Sequence, residues 1–211
     1  MKRFVYTVLG IAMAVTMICA DADARPKKMW KSEEQKIAED KNRNTIRDWG
    51  VYEDFGTMNL EAFAAMNARA KLAEQTATLI SRALDHYADS KGMNSMDEES
   101  RAALQEAKEV TKSNAKEIIQ GSRVLQSTRY IIDKKRNIQA CYAVVEISVK
   151  DALLTIKNTE KIQKALNKLE KKISKNPKAE INVNSVEFSE ASLKAIDEMN
   201  ENKLVIGDLN L

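Results

Sequence analysis

Residues 124–133 read VLQSTRYIID, residues 134–137 read KKRN, and residues 138–149 read IQACYAVVEISV. Both arms are rich in β-branched and aromatic residues, which fit a pleated surface, and the polar tetrapeptide between them fits a tight connection. An antiparallel hairpin is the prediction. The second arm is apolar on both of its alternating faces, with Ile138, Ala140, Tyr142 and Val144 on one and Cys141, Ala143, Val145 and Ile147 on the other. A strand with no polar face belongs inside a sheet under helical cover.

The flanking sequence predicts that cover. After Asn59, which offers a helix cap, Ala65, Ala68, Leu72, Thr76, Leu79, Ala83 and Tyr87 recur at steps of three or four, with Phe63, Ala73 and Ile80 widening the stripe. This is one face of a long amphipathic helix, which Gly92 ends. A loop over 95–100 leads to a second helix, whose apolar members are Ala103, Leu104, Ala107, Val110, Ala115, Ile118 and Ile119 and which Gly121 stops. Upstream, WGVYEDFG at 49–56 predicts a short strand followed by a turn. Downstream, Leu153, Ile156, Ile162, Leu166, Leu169 and Ile173 mark a helix over 151–174. Pro177 separates it from a weak strand (INVNSVEF, 181–188), a short helix over 189–200 and an apolar tail, KLVIGDLNL. The expected fold is α+β, or a two-layer α/β arrangement: long helices on a small, largely antiparallel sheet, with a C-terminal helical extension.

At the N-terminus, Lys2 and Arg3 precede an uncharged run, FVYTVLGIAMAVTMI at 4–18, and then alanines 20, 22 and 24. That order is that of a secretory signal peptide, and the run is shorter than the ~20 residues a membrane-spanning helix needs. Cleavage is expected after Ala24, leaving a mature chain without a transmembrane span, periplasmic or associated with an outer membrane. Thr16, Met17 and Ile18 make a poor acylation box before Cys19, so lipidation there is not expected. Cys141 is then the only cysteine of the mature chain, and an intramolecular disulfide is excluded. The segment 25–47 is strongly polar and reads as a tether or a loosely docked helix, 48–156 as the α/β domain, and 157–211 as the lysine-rich helix and extension.

The chain has 211 residues, of which 44% are hydrophobic and 31% charged, with six glycines and two prolines. Collagen-like, disordered and disulfide-framework classes are excluded by these values. With 34 Lys and Arg against 31 Asp and Glu, the net charge of +3 predicts no nucleic-acid partner.

The succession of a strand, a long alanine-rich helix containing NARAKLAEQ, a second helix and a hairpin ending ACYAVVEIS resembles the bacterial lipoprotein-20 family and the related N-terminal domain of the flagellar T-ring protein. Ala62, Ala65, Asn67, Ala68, Arg69, Leu72 and Ala73 on the helix and Tyr142, Ala143, Val144 and Val145 on the last strand carry the resemblance, over about residues 48–156. It implies a small envelope domain without known catalysis, used in assembly or surface roles.

Chemistry-bearing residues are sparse. His86, the single histidine, falls at the edge of the long helix among Arg82, Asp85 and Asp89, and Cys141 reads as a small buried strand residue. Gly50 and Gly56 flank acidic residues with no lysine following, match no phosphate loop, and read as turn punctuation. Glu146 interrupts an apolar strand and requires a partner if buried, with Arg69 or Arg129 as candidates. No catalytic, cofactor-binding or metal-ligating set emerges, and neither an enzyme nor a cofactor is expected.

One stretch is strongly basic: eight lysines between 157 and 178 face only Glu160 and Glu170. Lys161, Lys164, Lys168, Lys171, Lys172 and Lys175 are the candidate interaction residues. The stretch has no arginine and no interleaved aromatics, so an envelope protein or an anionic envelope surface fits it better than nucleic acid. The expected function is therefore non-enzymatic binding of another envelope component, through the sheet edge or the C-terminal helix. The alternatives are a self-assembling structural protein using the 153–173 helix, with an oligomer as its consequence, and an enzyme working with carboxylates alone.

Overall fold

In the computed structural model, residues 33–40, 42–55, 59–92 and 97–208 are described, with side chains to 201. The stretch read as a signal peptide, Cys19 and Gly56 lie outside the described residues. The elements in chain order are α1 (Glu33–Glu39), β1 (Thr45–Phe55), α2 (Leu60–Ser90), α3 (Glu98–Ser113), α4 (Ala115–Ile118), a 3-10 turn (Ile119–Gly121), β2 (Arg123–Asp133), β3 (Ile138–Ser148), α5 (Val149–Asn158), α6 (Glu160–Ser174) and α7 (Val186–Asp208). The class is α+β, helices on a three-stranded antiparallel sheet of order β1-β3-β2.

The hairpin forms as expected, and its second arm is the central strand. Odd-numbered residues of β3 face α2: Cys141, Ala143, Val145 and Ile147 are all buried in the main core with Ala64, Ala68 and Leu72. Ala140, Val144 and Glu146 are buried on the opposite face, which α1 crosses. Alternation along the pleat then requires both faces to exclude water.

Alanine lets α2 approach the sheet closely, and Gly50 completes the approach. A Cβ at Gly50 would sit 2.3 Å from the Ala68 backbone nitrogen and 2.4 Å from the Ala64 carbonyl oxygen. Gly50 is therefore not a turn glycine. It lies in mid-strand opposite Ala143, and β1 begins at Thr45, inside the stretch read as a tether. Asn67, two turns into α2, donates to the Val51 carbonyl (2.9 Å) and ties the helix to the same strand.

Several helix boundaries differ from the pattern, each for a local reason. Asn59 does not cap α2 with its side chain; it takes a left-handed backbone (φ 52°), and its carbonyl accepts from Phe63 N. The helix after the loop starts at Glu98, because the Asp97 carboxylate accepts from Ser100 N at 2.9 Å. That helix breaks at Asn114, whose side-chain amide takes the Val110 carbonyl at 2.7 Å. The 151–174 helix is two helices, α5 and α6. Ser148 caps α5 through Asp151 N, and Thr159, which bonds back to the Thr155 carbonyl, has extended backbone between the two. Lys175, with φ 52°, ends α6.

The 181–188 segment is not a strand. Ile181 and Val183 are buried in alternation, but Ile181 N bonds Asn167 Oδ1 of α6, and no neighbouring strand is present among the described residues. The helix after it starts at Val186 and runs to Asp208, taking in most of the apolar tail. It packs along α2, while α6 packs on α3, so the described residues form one compact unit. Tyr87 of α2 ties two of these layers together: its ring meets Phe188, and its hydroxyl donates to Glu170 of α6 at 2.8 Å.

Candidate functional site

The six candidate lysines lie on or just beyond α6, on its outer side, over a stripe that closes the core. Ile156, Ile162, Leu166 and Leu169 are fully buried within the chain, so the apolar face proposed for self-association is already covered by α3 and its neighbours. Two lysines are paired across the helix interface, Lys168 with Glu106 and Lys172 with Glu99, both on α3. Lys164 pairs with Glu160 one turn earlier at 2.6 Å. Lys161, Lys171 and Lys175 are exposed. Of the six lysines, two thus hold α6 against acidic residues of α3, one pairs within α6, and three face water.

Glu146 is buried in an ion-pair row that spans the sheet. The register sets Arg47 of β1 and Arg123 of β2 directly opposite it on either side. Arg47 Nε donates to Oε2 at 3.0 Å, and Arg123 Nη2 donates to Oε1 at 2.6 Å. Burial pushes the carboxyl pKa up, but the hydrogen bonds and charges of the two guanidiniums outweigh it and hold the group below the usual glutamate range. The predicted partners are elsewhere: Arg129 pairs with Glu61, and Arg69 bonds Ser122. The arrangement stabilises a fixed charge and offers no proton to a substrate.

Cys141 is fully buried and burial raises its thiol pKa. His86 Nε2 lies 3.0 Å from Glu198 Oε1 of α7, but among the described residues neither of its buried ring nitrogens makes a hydrogen bond. An open cleft of about 380 Å³ is lined by Asn42, Arg43, Asp197, Asn200 and Glu201. Its guanidinium is held by Asp197 through two hydrogen bonds of 2.9 and 3.0 Å. Among the described residues there is no group of histidines, cysteines and carboxylates that would hold a metal ion.

The feature that pattern reading under-weighted is β2. Among the described residues it is an edge strand, and Val124, Leu125, Tyr130, Ile131 and Ile132 are all exposed, Ile131 at 65% and Ile132 at 55%. Soluble folds usually blunt such edges with lysine, proline, β-bulges or a covering element, and β2 has only the irregularities at its two ends, leaving 126–131 regular. The opposite edge is covered: α2 reaches over β1 with Asn67 on the Val51 carbonyl and Lys71 above the Trp49 ring, 4.0 Å from its centre. On the far face of the sheet, Tyr130 meets Tyr142 edge-on and Gln126 reaches Glu34 of α1, which ties β2 to the layer beside it. The β-branched content that predicted a strand was the available signal; its edge position was not.

No helix among the described residues is long and apolar enough to cross a membrane. Comparison with known proteins finds no matching family model, no matching curated protein and no matching solved structure.

Proposed function

We propose that this chain is an exported, non-enzymatic cell-envelope protein, similar in kind to the lipoprotein-20 family, that acts by binding a protein segment along β2. The open edge of β2, with its exposed apolar side chains, carries the reading. An edge strand binds extended chain through main-chain hydrogen bonds, and side chains beside it supply selectivity. The order of charge, apolar run and small residues at 2–24 supports export. The internal commitment of Glu146, Cys141, Lys168 and Lys172 supports a binding role over catalysis or adhesion to an anionic surface.

A photo-reactive residue at Ile131, compared with one at Leu154, an exposed position on α5, tests this in cells. The expected result is an adduct with protein in the envelope fraction from position 131 and none from 154. Recovery of the protein in the cytosolic fraction, or equal labelling from both positions, overturns it.

A further inference from the structure

We propose that the segment bound along β2 is the β2 strand of a second copy, the two running antiparallel about a two-fold axis at Thr128. This rests on the reading of β2 as the binding strand and names its partner.

The strand is self-complementary in that register. With Thr128 opposite Thr128 of the second copy, Arg123 faces Asp133, Val124 faces Ile132, Leu125 faces Ile131 and Gln126 faces Tyr130. Opposite charges close both ends and four apolar pairs lie inside them, because a two-fold axis repeats every contact. A slip of one residue in one direction sets Val124 against Asp133, and in the other sets Arg123 against Ile132. Both slips leave a charge facing an apolar side chain, so the pattern selects one register.

The conformation suits the pairing. The ladder to β3 is regular from Gln126 to Ile131, with irregularities only between Val124 and Gln126 and between Ile131 and Asp133. A straight central run is thus available for main-chain hydrogen bonds, and each irregular end carries exposed apolar groups, Leu125 at 41% and Ile132 at 55%. Arg123 holds Glu146 and still has a side chain 76% exposed, and among the described residues Asp133 is bound only through the turn amides of Lys135 and Arg136 and the Arg136 side chain at 3.8 Å. The stripe on α6 is closed to a second copy by burial in its own core. Pairing at β2 joins two sheets into one of six strands and removes the open edge from both.

Sedimentation velocity over micromolar to near-millimolar concentrations tests the association. The expected mass doubles with concentration, and Ile131→Lys weakens the dimer at least about tenfold while leaving the circular dichroism unchanged, since the residue is exposed. The register is read by disulfide formation. Thr128→Cys faces its own copy at a Cα separation of roughly 4.5–5.5 Å, within disulfide reach, whereas Ile131→Cys does not. The native Cys141 is buried and does not compete. Thr128→Cys is expected to cross-link at least about tenfold faster than Ile131→Cys. A monomer at every concentration, association unaffected by Ile131→Lys, or equal cross-linking of the two cysteine variants overturns self-pairing. If the chain is monomeric yet position 131 labels a different envelope protein, the edge remains the binding strand and only the self-pairing falls. If neither occurs, both fall.

Discussion

Replacing Gly50 with alanine adds a single methyl group, and the structure assigns it a large cost. The new Cβ would lie 2.3 Å from Ala68 N and 2.4 Å from Ala64 O, both backbone atoms within the first three turns of a 31-residue helix. No side chain can rotate away. Restoring an ordinary contact of roughly 3.4 Å requires α2 and β1 to separate by about 1 Å, and a gap of that size forfeits a quarter to a half of each dispersion contact along the interface. Overpacking costs about 1–3 kcal/mol where neighbours can adjust. Here the neighbours are rigid backbone, so the expectation is about 3 kcal/mol or more, a large part of the ~5–15 kcal/mol that holds a domain together. Urea unfolding followed by circular dichroism measures it, with an unchanged denaturant slope showing that both variants unfold the same surface. The melting temperature is expected to fall by roughly 6–12 °C. Gly121→Ala is the control: nothing lies within 4 Å of a Cβ there, and the expected change is within about 0.5 kcal/mol. A Gly50→Ala variant as stable as the Gly121→Ala control refutes the close approach of α2 to β1.

Three further outcomes follow from the site geometry. Glu146→Gln removes the charge that Arg47 and Arg123 share and is expected to cost about 2 kcal/mol at neutral pH, checked by urea unfolding. Because the folded carboxyl is held below its ordinary value near 4.5, its contribution is present above that pH and is lost as the pH falls through the lower folded value. The variant should therefore flatten the acid limb of a stability-against-pH curve; an unchanged limb refutes the pairing. Tyr87 is buried against Glu170, and burial first, then the hydrogen bond to that carboxylate, raises the phenol pKa above the usual tyrosine value. Stability from this group is present below pH 10 and lost as the pH rises further. Ultraviolet titration near pH 10 should count equal numbers of ionising tyrosines in the folded unsubstituted chain and in folded Tyr87→Phe, and one more in the unsubstituted chain after both are unfolded; unequal folded counts refute the burial. Cys141 is expected to react with a bulky thiol reagent only on unfolding, so rapid labelling of the native protein would show that β3 is not the covered central strand.

Local patterns in the chain were enough to show the long α2 helix, the hairpin and the two-faced burial of β3, because each is written in a periodicity that spans neighbouring residues. Caps and breaks were less legible. Asn114 and Thr159 interrupt helices through bonds to their own preceding turns, a choice that the same residues make or decline according to packing. The partners of Glu146 were not legible at all. Arg47 is 99 residues away and Arg123 is 23, and both reach the carboxylate only because β3 lies between their strands in a particular register. Gly50 shows the same limit: its sequence neighbourhood suits a turn, and only the approach of α2 makes it a packing residue.

By itself, then, the sequence determined the α+β class, the hairpin, the long helix and the presence of a basic stripe. Tertiary structure decided what each was for. It set lysines of α6 against Glu99 and Glu106, closed the stripe beneath them, covered one edge of the sheet with α2 and left β2 open. The reason is that secondary structure answers to contacts within a few residues, whereas strand order, register and the availability of a surface depend on pairs of segments far apart in the chain.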